Sequence, residues 1–169
     1  DDAMEWAENL VYGGFDDWRL PTVRPVGSDI NTEFSNNGTT DIGYGNRSPN
    51  SEMGHMFYVS LGNLGQCAPN DSAPSGCEIQ RGFGLRQIGP FTNLMSGIYW
   101  SGTEFEASAG AWYFGTNIGI QFVDYTTYEF YAWAVRSGDV VRRVAEPGSL
   151  ALLGLGLAGL GLSRRRKRA

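Results

Sequence analysis

The sequence predicts an α+β domain with two short helices, long polar loops and a small antiparallel sheet. Glycine is very frequent, with 24 among 169 residues, and favours a chain rich in turns. Five tryptophans, eight tyrosines and nine phenylalanines favour strands. Apolar residues have helical spacing near the start of the chain and after residue 51, whereas short apolar runs bounded by turn residues begin at residue 98.

The first predicted helix covers residues 1–11. Its apolar residues keep the i, i+3, i+4, i+7 spacing of an amphipathic helix, at Ala3, Trp6, Ala7 and Leu10. The glycine pair at 13–14 is a typical helix end. Because the chain opens within this pattern and without an initiator methionine, we expect a signal peptide and a first strand upstream.

The middle of the chain is predicted to be mostly loop. The segment at 15–22 is predicted to contain a short strand that ends at Pro21. Arg19 in this strand is expected to pair with an acidic neighbour. Residues 27–49 are polar, rich in glycine and without a clear period, which is typical of loops. Residues 51–61 are predicted to form the second helix, and loop continues over 62–89.

Four consecutive strands are predicted in the last part of the domain. They cover residues 98–104, 111–115, 119–125 and 130–136. Each is bounded by Gly, Asn, Thr or Ser, and the joins are short. Short joins are typical of an antiparallel meander.

The two cysteines, Cys67 and Cys77, bracket a short polar loop. In an exported protein this arrangement predicts a disulfide, which would stabilise the fold by roughly 2–3 kcal/mol through restriction of the unfolded chain. Two thiols without neighbouring ligands do not make a zinc site.

The charge of the chain is unevenly distributed. Residues 1–143 contain 8 basic and 17 acidic side chains, a net charge of −9, and no lysine. A surface this acidic does not bind nucleic acid through phosphate contacts. It suits an exported protein, or one that meets cations.

The end of the chain has the pattern of a membrane-targeting tail. Ala145-Glu146-Pro147 precedes an uncharged apolar segment at 150–162, which is predicted to be helical, and a basic end at 164–168. The apolar segment has 13 residues, fewer than the ~20 that a spanning helix needs, which suits a temporary anchor. The basic end is expected to stay in the cytoplasm, which places the upstream residues outside.

This tail resembles the PEP-CTERM sorting signal of Gram-negative bacteria, with Ala145 in place of the first proline. The resemblance implies transient insertion of 150–162 in the inner membrane and recognition by an exosortase, a membrane protease-transpeptidase. Cleavage near Ala145-Glu146-Pro147 would then release the protein or transfer it to the cell surface. We therefore expect two parts, a domain at 1–143, truncated at its N-terminus, and a sorting tail at 144–169.

Three segments of the domain resemble the Lcl-type C-terminal domain of bacteria. They are GFDDWRLPT at 14–22, YWSGTE at 99–104 and AWAVR at 132–136. The resemblance implies a C-type-lectin-like fold, in which helices and a small twisted sheet carry long irregular loops.

Catalytic chemistry has few candidates in this sequence. His55 is the only histidine, so the sequence offers only one imidazole base for a nucleophile–base pair. We expect no enzymatic activity and no cofactor. Oxygen ligands between Asn36 and Asp41 could bind calcium, but turn formation explains the same residues and is the preferred interpretation. No metal site is predicted.

Ligand binding is a better candidate, because strand alternation cannot bury all the aromatic residues near the end of the domain. Exposed aromatic side chains with polar neighbours bind sugar rings and partner surfaces. The predicted ligand-binding residues are Asn117, Asp124, Tyr125, Tyr128, Tyr131 and Trp133.

The first hypothesis is therefore an exported surface or matrix protein that recognises glycan, such as exopolysaccharide, or a surface protein through its loops. The alternative is a self-assembling structural protein of the extracellular matrix or biofilm, in which the domain packs against copies of itself.

Overall fold

A computed structural model describes residues 2–105 and 109–138. These belong mainly to a compact unit of residues 1–136. The predicted domain boundary at 143, the apolar helix at 150–162 and the basic end at 164–168 lie outside the described residues.

The α+β class is confirmed. The helical elements are α1 (Asp2–Glu8) and α2 (Glu52–His55), and a π-helical segment at Met56–Ser60 continues α2 directly. The strands are β1 (Phe34–Ser35), β2 (Ile42–Tyr44), β3 (Ile98–Phe105), β4 (Gly110–Gly115) and β5 (Ile120–Tyr125).

The five strands form one sheet in the order β1-β2-β5-β4-β3. The predicted antiparallel meander is confirmed for β3, β4 and β5, with Trp100 opposite Tyr113 and Tyr113 opposite Phe122. β2 extends the sheet antiparallel to β5, and β1 adds to β2 in parallel. The register of β3 shifts between Trp100 and Glu104, where the strand has a bulge.

Two strand predictions were wrong. Residues 130–136 make only isolated bridges, Tyr131 with Tyr99 and Val135 with Arg19, because the segment passes from one partner to another without a continuous ladder. The strand predicted at 15–22 is likewise reduced to isolated bridges.

The prediction of loops throughout 27–49 was also wrong, since this segment contains β1 and β2. All three residues of β2 are buried, although one of them is glycine. Strands of two and three residues are too short to show an alternation in the sequence.

The sheet is covered on both faces. On one face, Tyr99 and Phe114 pack against Met53, Phe57 and Tyr58 from the second helical segment. On the other face, Trp100 and Ala111 pack against Ala7 and Leu20. The predicted second helix is therefore confirmed, and Ser51 begins it by accepting a hydrogen bond from the Gly54 N–H.

α1 is shorter than predicted and buries a different face. It ends at Glu8, and its packed residues are Ala3, Met4 and Ala7. Trp6, which we expected on the apolar face, is 46% exposed. The short helix therefore packs through two alanines and a methionine.

Buried polar side chains hold the loops in place. Gln121 on β5 accepts a hydrogen bond from the Ser51 hydroxyl and donates to the Asp41 carbonyl, 2.8 Å away. Asn36 donates to the Gly76 carbonyl and accepts from the Asn70 N–H. The Gln121 and Asn36 side chains are fully buried, so water cannot satisfy their polar atoms. The loops that they hold supply the hydrogen-bond partners instead.

The segment that follows α1 meets the last residues of the compact unit in an arrangement that we call the terminal clasp, formed by Phe15, Asp17, Arg19, Val135 and Arg136. Arg19 and Val135 exchange two backbone hydrogen bonds of 2.9 and 2.8 Å. The Arg136 guanidinium donates to both carboxylate oxygens of Asp17, at 2.7 and 2.8 Å, and lies 3.7 Å from the centroid of the Phe15 ring.

The predicted pairing of Arg19 is confirmed, with Glu52 as its partner. The guanidinium donates to both carboxylate oxygens at 2.7 and 2.8 Å, and the Thr22 N–H adds a third bond of 2.7 Å. The hydrogen bond from Arg19 is the largest cause that lowers the pKa of Glu52 from 4.5 to about 2, and the Thr22 N–H acts in the same direction.

We expect this carboxylate to make stability depend on pH. Because the folded-state pKa is lower than the unfolded one, the contribution is fully present above pH 4.5 and is lost as the pH falls towards 2. The Glu52 and Arg19 side chains are 28% and 35% exposed, so solvent screens their interaction. We therefore expect the loss of unfolding free energy to be only about 1–2 kcal/mol. Urea unfolding as a function of pH should show the loss.

Glu52→Gln should flatten most of this acid dependence, whereas exposed Glu78→Gln should leave it unchanged. Asp17 contributes in the same direction, because the side-chain hydrogen bond from Arg136 lowers its pKa. An acid dependence that is the same in Glu52→Gln and in the parent protein would contradict the assignment.

Candidate functional site

A groove of about 420 Å³ lies between the N-terminal end of α1, the bulged strand β3 and the segment after β5. We call it the aromatic groove. Its lining residues are Asp2, Ala3, Met4, Leu20, Trp100, Ser101, Gly102, Thr103, Glu104, Ala111, Thr126, Thr127, Tyr128, Glu129 and Phe130.

Three aromatic side chains stack in series along the groove. The Tyr128 ring lies 6.0 Å from the Phe130 ring with an interplanar angle of 5°. Phe130 in turn lies 4.5 Å from Trp100, which is only 8% exposed. Tyr128 is 53% exposed, so an anchored aromatic series ends in a ring that solvent reaches.

The floor of the groove follows from the strand register. Ala111 on β4 lies opposite Glu104 on β3 and Asp124 on β5. Alanine is small, so this position leaves space where the neighbouring position on the same face of β4 carries Tyr113. Burial is the largest cause that raises the pKa of Tyr113, and the charge of Asp124 adds to it.

The charge of the groove is negative. Asp2, Glu104 and Glu129 are its ionisable acids, and all three residues are exposed. Within residues 2–105 and 109–138, the groove is lined by no arginine, lysine or histidine. The groove therefore offers aromatic surface and anionic oxygen acceptors, with serine and threonine hydroxyls beside them.

The structure separates the residues predicted to bind a ligand. Tyr128 lines the groove, and Asp124 and Tyr125 end the neighbouring strand β5. Tyr125 is 60% exposed. Asn117 lies in the turn between β4 and β5, at the opposite end of that hairpin.

Tyr131 and Trp133 form a different aromatic cluster. Tyr131 is 51% exposed and its ring lies 5.3 Å from Tyr99. Trp133 packs between Tyr99 and Phe91, at 5.9 and 5.3 Å. Trp133 is therefore a packing residue, and neither side chain lines the aromatic groove.

Sequence reasoning missed Trp100, Phe130 and the groove-lining position of Glu104. Trp100 and Phe130 were included in predicted strands as ordinary sheet residues. Their shared face becomes visible only when the register of β3 and β4 is known, because the bulge after Trp100 interrupts the alternation.

The oxygens considered for calcium already have hydrogen-bond partners. Both carboxylate oxygens of Asp41 accept backbone N–H bonds of 2.7 Å, from Val26 and Asn31. The Asn37 side-chain oxygen accepts from the backbone N–H and the hydroxyl of Thr39. This is the turn chemistry that the sequence favoured. Across residues 2–105 and 109–138, no group of three or more His, Cys, Asp or Glu residues could hold a metal ion.

The predicted disulfide between Cys67 and Cys77 is present, with the two Cα atoms 4.8 Å apart. Cys67 is 3% exposed, whereas Cys77 lies in an exposed loop. The disulfide and Asn36 therefore hold the same loop from two sides.

Comparison with known proteins identifies the tail. A family model described as the PEP-CTERM protein-sorting motif matches residues 144–167. The chain carries a PEP-CTERM motif. The predicted cleavage residues Ala145, Glu146 and Pro147 fall within the match, although they lie outside the described residues.

The PEP-CTERM motif indicates an exported protein that is processed by exosortase, a membrane enzyme, after transient anchoring through the tail. No curated protein and no solved structure matches this chain. In the part of the chain that the structure describes, no helix has the length and apolar character needed to cross a membrane.

Proposed function

We propose that the PEP-CTERM protein is a non-enzymatic binding module of the cell surface or extracellular matrix that recognises glycan through the aromatic groove. The observation that carries this proposal is Tyr128, a half-exposed ring at the end of an anchored aromatic series. The C-type-lectin-like fold, inferred from resemblance to the Lcl-type domain, is part of the same proposal.

The size and chemistry of the groove support a glycan ligand. A volume of about 420 Å³ falls within the range of small-molecule sites, which is roughly 300–1,000 Å³. The apolar face of a sugar ring packs on an exposed aromatic ring, and its hydroxyls bond to carboxylates and hydroxyls at the edges. Tyr128 supplies the ring, and Glu104, Glu129 and Thr127 line the same groove.

Binding without catalysis is the function that these residues favour. The Nδ1–H of His55 donates one hydrogen bond to the Arg47 carbonyl, 2.9 Å away, and His55 does not line the groove. Both cysteines are held in the disulfide. The groove therefore offers hydroxyls and carboxylates without a histidine or thiolate beside them.

We expect Tyr128→Ala to weaken glycan binding by about tenfold or more, because the variant removes the exposed ring that a sugar would contact. A glycan array and an exopolysaccharide pull-down with the full chain would measure it. Tyr12→Ala is the matched control, since Tyr12 is 70% exposed and lies outside the groove.

Equal retention of glycan by the parent and by Tyr128→Ala, with the fold intact by circular dichroism, would exclude the groove as the glycan site. If Tyr12→Ala weakens glycan retention as strongly as Tyr128→Ala does, the retention comes from nonspecific adhesion to exposed aromatic rings.

A second candidate function, self-assembly into a matrix, is favoured by exposed apolar side chains in α1 and directly after it. Trp6, Val11 and Tyr12 are 46%, 75% and 70% exposed. Exposed patches of apolar side chains mark interaction surfaces. Concentration-dependent sedimentation without glycan, lost in Val11→Ser, would favour this function over glycan binding.

A further inference from the structure

The aromatic groove combines two features that together specify a class of ligand. It has an exposed aromatic ring at Tyr128, and the lining residues that the structure describes supply three carboxylates, those of Asp2, Glu104 and Glu129. An aromatic face attracts cations through its electron density, and carboxylates attract them through charge.

We propose that the groove selects amine-bearing glycans, in which protonated amino groups of hexosamine units lie between the aromatic ring and the carboxylates. This inference rests on the proposed glycan-binding function and specifies its ligand class.

The distribution of basic residues strengthens the selection against anionic glycans. The only lysine of the chain is Lys167, in the sorting tail. The groove-lining residues that the structure describes include no arginine, so uronate or sulfate groups would meet carboxylates without an arginine to pair them. Like charges at close range are unfavourable, so the groove discriminates by repulsion as well as by attraction.

Two acidic residues of the groove come from different segments of the chain. Glu129 is the sequence neighbour of Tyr128, whereas Glu104 lies on β3 near the bulge. Phe130 stacks against the Tyr128 ring and itself packs against Trp100, and Tyr128 remains 53% exposed to a ligand. A protonated amine on a stacked sugar can therefore bind a carboxylate while the ring contact is kept.

The test compares three oligosaccharides of equal length by isothermal titration calorimetry with the full chain. They are an oligomer of glucosamine, its fully N-acetylated counterpart and an oligogalacturonate, all in mildly acidic, low-salt buffer that keeps the amines protonated. We expect the glucosamine oligomer to bind at least tenfold more tightly than the N-acetylated one, and the oligogalacturonate to show no binding.

The double variant Glu104→Gln/Glu129→Gln should lower the ratio of the first two affinities by about tenfold, and added salt should do the same in the parent. The matched control is Glu33→Gln/Glu78→Gln, which removes two exposed carboxyls outside the groove and should leave the ratio unchanged.

Equal affinity for the glucosamine and N-acetylglucosamine oligomers, lost in Tyr128→Ala, would overturn the amine inference while leaving glycan binding in place. The same would hold if the control pair lowered the ratio as much as the groove pair, because the preference would then come from the overall acidity of the domain. Failure to bind any glycan would overturn the proposed function as well.

Discussion

Replacing Gly43 with alanine is expected to destabilise the domain by about 3 kcal/mol or more, a large fraction of the stability of a typical domain. Gly43 has a φ of +122°, and a Cβ atom built there would lie 1.8 Å from the Ser35 carbonyl oxygen. The residue pairs with Ser35 on one side and Gln121 on the other, in the middle of the ladder that joins β1, β2 and β5. Neither backbone can move aside without breaking that ladder.

The matched control is Gly27→Ala. Gly27 lies in an exposed loop, and a Cβ atom there would meet no atom within 4 Å. Its unfolding free energy should change by less than about 1 kcal/mol. Urea unfolding of both variants, followed by tryptophan fluorescence, measures the difference. A Gly43→Ala protein as stable as Gly27→Ala would show that the close approach of β1 and β2 is absent in solution.

Phe114→Ala is expected to lower the free energy of unfolding by about 3–5 kcal/mol, the second large effect. The substitution leaves a cavity in the core on the face of the sheet that packs against α2 and the π-helical segment. Phe114 is 0% exposed, and its ring lies 5.3 Å from Phe57 and 6.2 Å from Tyr58. The variant therefore loses packing against the π-helical segment as well as buried apolar area.

Phe34→Ala is the control for this variant. Phe34 lies on the short edge strand β1, is 38% exposed and has one aromatic neighbour, Tyr44, at 5.9 Å. We expect a loss of about 1 kcal/mol, since much of its ring is already in water. Equal losses in the two variants, by chemical unfolding, would mean that Phe114 is not a core residue.

The meander could be predicted because its strands carry their own signals. Runs such as 111–115 and 120–125 are aromatic or β-branched and are bounded by turn residues. β1 and β2 could not be predicted, because their pairing depends on the close contact of Gly43 with Ser35, which a local pattern does not contain. Residues 130–136 have strand composition but no continuous partner, so composition alone misled the prediction.

The candidate site was predictable only in part. Tyr128 was predicted because an exposed aromatic residue in a polar segment has a local signal. Asn117 was grouped with Asp124 because the two are close in sequence. In the structure, Asn117 lies in the turn of the β4–β5 hairpin, whereas Asp124 lies near the opposite end of β5. Trp100 became a groove residue through the register shift of β3, which depends on pairing rather than on residue type.

The terminal clasp has a mechanical consequence for a protein that is held by its tail. While residues 150–162 anchor the chain, any drag on the folded part is transmitted through the backbone to Arg136. The tension therefore loads the contacts of Arg136 with Asp17 and Phe15 first, and then the paired bonds of Val135 with Arg19. The clasp is therefore the first part of the fold that bears this load.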